Sequence, residues 1–136
     1  MKISNKKKEV KEMFEIFDDP MDKYIQIIEL GKKNVGIPNI DKNDVNRIFG
    51  CASLAWVKTI NNNNNTYDIL VDSDTFIVKG LLSILKYIID GMSLEEINKL
   101  NIESILLEIG LEDAITSQRT NGFMNALNKI KEQINS

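Results

Sequence analysis

Apolar residues recur at helical spacing over most of the chain. Val10, Met13, Phe14 and Phe17 follow i, i+3, i+4, i+7 spacing, which predicts an amphipathic helix from about residue 5 to 17. Asp18-Asp19-Pro20 ends it. Asp19 is a good N-cap and Pro20 a good first helical residue, so a second helix starts there with Met21, Tyr24, Ile25 and Ile28 on one side and a stop at Gly31 or shortly beyond. Residues 34–44 mix turn formers with isolated apolar residues and have no period, which predicts a loop. Residues 45–49 and 54–60 are rich in β-branched and aromatic side chains and read as short strands, with Gly50-Cys51 at the bend between them. The five consecutive asparagines at 61–65 favour left-handed turns and have nothing to bury, so they predict a hairpin loop. Tyr67, Ile69 and Val71 supply a third strand, which makes the middle of the chain a small antiparallel sheet.

Asp72-Ser73-Asp74 closes that strand, and Asp74 is the expected N-cap of the next helix. Residues 75–89 are apolar nearly all round and predict a central buried helix on one face of the sheet, with Gly91 at its C-terminal cap. Ser93-Leu94-Glu95-Glu96 is a capping box opening a short helix. Another helix is expected over 102–109, stopping at Gly110. After Thr116-Ser117 the last helix carries Phe123, Ala126, Leu127, Ile130 and Ile134 on one face. The pattern predicts an α+β fold in which about six helices pack with a three-stranded antiparallel sheet.

Composition narrows the chemistry. The 136 residues, 43% of them hydrophobic, suit a single domain spanning the chain, with residues 1–4 expected to fray. A net charge of −3 excludes a nucleic-acid binder, because neutralising phosphates takes clustered Lys and Arg, and Lys6-Lys7-Lys8 reads as a solvated run. No apolar run reaches the roughly 18 residues that span a bilayer, and residues 1–5 lack the apolar core of a secretory signal. The expectation is a cytoplasmic protein that does not enter the membrane. The chain has one cysteine, which fits a reducing compartment, and no histidine. There is therefore no Cys-His dyad, no Ser-His-Asp triad and no imidazole metal ligand, and a structural zinc site is not expected.

The one cysteine and the one tryptophan both fall in Gly50-Cys51-Ala52-Ser53-Leu54-Ala55-Trp56. A glycine before a cysteine suits a side chain displayed at a sharp bend. A free thiol of pKa about 8.5 is only a few per cent thiolate at neutral pH. Its available helpers are Arg47, Arg119 if it folds nearby, and the helix N-terminus after Asp74; Asp72 and Asp74 would oppose ionisation if they came close. Such equipment suits receiving a group from an already activated partner better than independent catalysis. Leu54, Ala55 and Trp56 are expected to form an apolar recess for the thiol.

Glu29-Leu30-Gly31-Lys32-Lys33, then Pro38, Gly50-Cys51 with Ser53 and Trp56, Asp72-Ser73-Asp74 leading into Val78-Lys79-Gly80-Leu81-Leu82, and Arg119 with Asn121-Gly122 resemble the SufE family of sulfur acceptors in iron-sulfur cluster assembly. The resemblance runs from about residue 14 to the C-terminus. It implies a fold shared with IscU-type scaffolds. It also implies that Cys51 takes sulfane sulfur as a persulfide from a SufS-type, pyridoxal-phosphate-dependent cysteine desulfurase, stimulates that enzyme, and hands the sulfur to a SufBCD-type scaffold. The protein is then a sulfur-transfer accessory without a cofactor of its own. By the same resemblance Asp74 and Arg119 affect the exposure of Cys51 or partner docking, and Gly50, Ser53 and Trp56 support its loop. The chain departs from the usual pattern at Ala52, at Ala55 and at Thr116-Ser117-Gln118, where a proline often precedes the arginine. Two other readings are an IscU-like cluster scaffold and a non-catalytic adaptor with Cys51 as packing.

Overall fold

The computed structural model describes residues 2–50 and 53–136, the side chains of residues 2–4 excepted. The described elements follow in the order α1 (Lys2–Glu15), α2 (Pro20–Lys33), β1 (Ala55–Asn61), β2 (Thr66–Ser73), α3 (Phe76–Ile89), β3 (Met92–Ser93), α4 (Leu94–Asn98), α5 (Ile102–Ile109) and α6 (Ser117–Ile134), with one turn of 3-10 helix at Asn39–Asp41. The sheet is antiparallel in the order β1-β2-β3, so the fold is α+β as the pattern predicts.

Local signals set most boundaries. The Asp19 carboxylate accepts from the Met21 N–H at 2.9 Å and Pro20 leads α2. Ser93 and Glu96 form the complete reciprocal box at the start of α4, each side chain accepting from the other's backbone N–H. Gly110 ends α5 in the left-handed region. Helix α1 begins at Lys2, ahead of the expected start near residue 5.

The first of the three expected strands is not formed. Residues 45–49 form no strand; they make one antiparallel bridge, Arg47 to Trp56, with the Ile48 N–H donating to Ala55 and the Val57 N–H donating to Asn46. The reason lies on α6. Gln133 occupies the outer edge of β1, accepting from the Thr59 N–H at 3.0 Å and donating to the Val57 carbonyl at 3.1 Å, so the edge groups that a longer strand needs are already used. The sheet gains its third member from Met92–Ser93, which pairs with Tyr67 and Thr66.

The expected cap of the central helix also shifts. Thr75 stands at the N-cap of α3 without a side-chain cap, and Asp74 turns back to accept from the Leu54 N–H at 3.1 Å. Helix α3 buries Ile77, Leu81, Ile84, Leu85, Ile88 and Ile89 in one cluster with Val57, Ile69 and Val71 of the sheet and Phe123, Leu127 and Ile130 of α6. Helix α2 crosses α3 where Gly31 meets Phe76 and Gly80, and where Gly80 meets the Ile27 carbonyl. Helix α2 stops at Lys33, shortly beyond Gly31 as expected, and Gly31 itself is a contact point inside the helix. Among the described residues no helix is long and apolar enough to cross a membrane.

Candidate functional site

Cys51, and Ala52 beside it, lie outside the described residues, so the site is built from what flanks them. Gly50 has φ +87°, a left-handed backbone that side chains rarely adopt, and a Cβ there would stand 2.5 Å from the Asn125 side-chain amide of α6. The backbone angle favours glycine at the approach to the turn, whereas the Asn125 side chain could move aside. On the far side, Ser53 and Leu54 are bound to the connection between β2 and α3. Leu54 exchanges backbone and side-chain hydrogen bonds with Asp74, its carbonyl accepts from Ser73 Oγ at 2.8 Å, and the Ser53 and Thr75 hydroxyls lie 3.0 Å apart. Asp74 is thus a latch on the stem of the turn.

Ile48 and Ser53, which bracket Gly50 and Cys51, line one cavity of about 210 Å³ with Ala55, Val78, Leu81 and Leu82 of the core and Thr116, Arg119 and Phe123 of the α6 end. The apolar wall comes from α3 and α6. This corrects the recess expected from the sequence: Ala55 contributes, but Leu54 is 40% exposed and Trp56 lies on the opposite face of β1. Strand alternation explains the split, because Ala55 and Val57 point into the core and Trp56 pairs with Asp72 on the other side, under the Lys42 ammonium 5.4 Å from its ring centre.

Arg119 is the one ionisable side chain in the described lining of this cavity. Its guanidinium stacks 5.5 Å from the Tyr24 ring centre and donates to the Tyr24 hydroxyl at 3.5 Å, while its backbone N–H is capped by Thr116. Arg47, the other candidate cation, is not in the described lining; it stacks on Phe49 at 5.0 Å, and its Nε is buried without a hydrogen-bond partner among the described residues. Ser53 and Arg119 therefore share the cavity, Gly50 and Asp74 hold the two ends of the turn, and neither Trp56 nor Arg47 is in the described lining.

Sequence reasoning missed Tyr24, read only as an apolar residue of α2, and Ile48. It also missed the part played by Asp72, a residue only 5% exposed. Burial pushes the Asp72 carboxyl up, but hydrogen bonds from the Ile37 N–H, Lys42 and the Ser73 N–H, with the Lys79 charge, outweigh it and hold the group below the usual carboxylate value. The sequence shows Asp72 and Lys79 only as members of one motif, and their ion pair is a feature of the fold.

Known proteins place the chain further. The sequence model of the SufE family, described as an Fe-S metabolism associated domain, matches residues 8–134. A SufE-like protein of Rhizobium meliloti (strain 1021) is 32% identical over 123 residues, covering 88% of each chain. One of Rhizobium etli is 33% identical over 123 residues, covering 88% of this chain and 83% of that one. In fold, the chain is similar to the solution structure of a hypothetical protein from Thermus thermophilus, with a TM-score of 0.75 and 19% identity over 96% of this chain and 93% of that one. With the family's sequence model spanning nearly its whole length and two relatives above 30% identity, the chain belongs to the SufE family, whose domain is associated with iron-sulfur metabolism.

Proposed function

We propose that the protein is a cytoplasmic sulfur acceptor for a SufS-type cysteine desulfurase and carries sulfane sulfur on Cys51 to a SufBCD-type scaffold. The observation that carries this reading is the setting of the single thiol. Cys51 falls between Ile48 and Ser53, two residues at one cavity whose described lining offers a cation and no base. A site without a base is poorly equipped to activate a stable substrate, and it suits a donor that arrives activated.

In the transfer, the Cys51 thiolate attacks the terminal sulfur of the desulfurase persulfide. The sulfur–sulfur bond of the donor breaks, a new one forms to Cys51, and the desulfurase cysteine leaves as thiolate. The proton on the terminal sulfur travels with it, and there is no net oxidation or reduction. Pyridoxal phosphate stays with the desulfurase. The positive charge of Arg119, at the cavity that Ile48 and Ser53 line, would favour an anionic thiol or perthiol brought to it. Phe49 and Leu54, 58% and 40% exposed, give the flanks of the turn an apolar surface for the desulfurase to cover.

The test is intact-mass spectrometry after incubation with a SufS-type desulfurase and cysteine. The parent protein should gain the mass of sulfur, reversibly on reduction, and Cys51→Ser should remain folded and gain none. A parent protein that gains no sulfur would overturn the reading.

A further inference from the structure

The carboxylate of Asp72 is buried, and it accepts from the Ile37 N–H at 3.0 Å and the Ser73 N–H at 2.8 Å while pairing with Lys42 at 3.1 Å and Lys79 at 3.4 Å. Gly36 lies directly on it, where any Cβ would overlap the carboxylate. These partners come from separate parts of the fold: the segment between α2 and β1, helix α3, and the link from β2 into α3. Lys42 also covers the Trp56 ring. A buried charge persists only when such a set of partners is complete, and the set specifies one geometry.

The next residue along carries that geometry to the turn. Ser73, fixed through its N–H by Asp72, holds the Leu54 carbonyl through its hydroxyl; Asp74 holds both backbone groups of Leu54; Thr75 meets Ser53. We propose that Asp72 is a positioning residue that acts on Cys51 through the stem at residues 53–54, setting how firmly that stem is held in the folded protein and so how fast the adjoining thiol reacts. The proposal rests on the reading of Cys51 as the acceptor thiol. Asp72 acts through Ser73 to Thr75 and touches no reacting atom. Loosening it releases the stem locally while the core cluster under α3 stays packed.

The experiment is the rate of Cys51 alkylation by iodoacetamide in the folded protein, with Asp72→Asn against the parent chain. Ile109→Val on α5 serves as a control for lost stability at a distance. Each protein is measured at the same offset below its own melting midpoint. Asp72→Asn should alkylate faster by about threefold or more, with the control unchanged, as expected for a local opening. An unchanged or slower rate in Asp72→Asn, or an equal acceleration in Ile109→Val, would overturn the proposal. Should Asp72→Asn fail to fold, Lys42→Gln removes one cation and leaves the backbone bonds in place. It should accelerate alkylation in the same direction, and an unchanged rate would overturn the proposal equally. Alkylation needs no desulfurase, so its outcome is separate from the sulfur-mass test of the acceptor reading.

Discussion

Asp72 shows how one buried residue ties stability to pH. Its folded-state carboxyl is held below its ordinary value, so it contributes stability in full above the unfolded value of about 3.9, and that contribution is lost as pH falls through the lower folded value. Asp72→Asn should therefore be less stable than the parent chain near neutrality, and the gap should narrow as pH drops below about 4. Urea midpoints at a series of pH values check this, and a gap that stays constant down to the acid transition would show that the charge contributes nothing. The sequence displays Asp72 only as the first residue of a turn-like triplet. Its partners Ile37, Lys42 and Lys79 are far apart in the chain or fall in a segment without periodicity, so its burial was not legible there.

At the scale of elements, the α2–α3 crossing is a close approach of two backbones. A methyl group at Gly80 would overlap the Ile27 carbonyl, and one at Gly31 would overlap the Phe76 carbonyl; neither partner is a side chain that can rotate away. Gly80→Ala should push the helices apart and lower stability by about 1–3 kcal/mol, despite the better helix propensity of alanine. Equilibrium unfolding in urea measures it, and an unchanged or raised midpoint would mean that the crossing relaxes freely. The asparagine hairpin makes the opposite case. Asn62 pairs with Thr66 through the Asn62 N–H, and Asn63 and Asn65 have positive φ, so the turn proper is residues 63–65. Replacing those three with Asn-Gly keeps Ile60 opposite Asp68 and should move the melting temperature by no more than about 3 °C. Replacing all five asparagines would instead bring Ile60 opposite Thr66. A large loss from the three-residue exchange would show that the run packs or binds.

At the scale of the whole molecule, the cavity beside the turn exists only because α3, α6, β1 and the segment around Ile48 converge. Ile48 and Ser53, which flank Cys51 in the chain, line that cavity, and walls of this kind screen a thiol from small reagents, so Cys51 should alkylate more slowly in the native protein than in denatured chain at the same pH. A native rate equal to or above the denatured rate would mean that the thiol is open and activated without a partner. The amino-acid pattern by itself determined what depends on near neighbours: the caps at Asp19 and Ser93, the stop at Gly110, the asparagine turn, the apolar run of α3, and the one cysteine behind a glycine. Periods of 3.6 and 2 and side-chain caps act over a few residues, so they can be read in order along the chain. Only the tertiary structure decided what depends on distant partners. It placed Gln133 on the edge that residues 45–49 were expected to fill, turned Asp74 from cap to latch, and brought Tyr24 to Arg119. Each is a competition between a local preference and a hydrogen bond or packing partner tens of residues away, and the partner won because a buried polar group or edge left unpaired costs more than the local preference is worth.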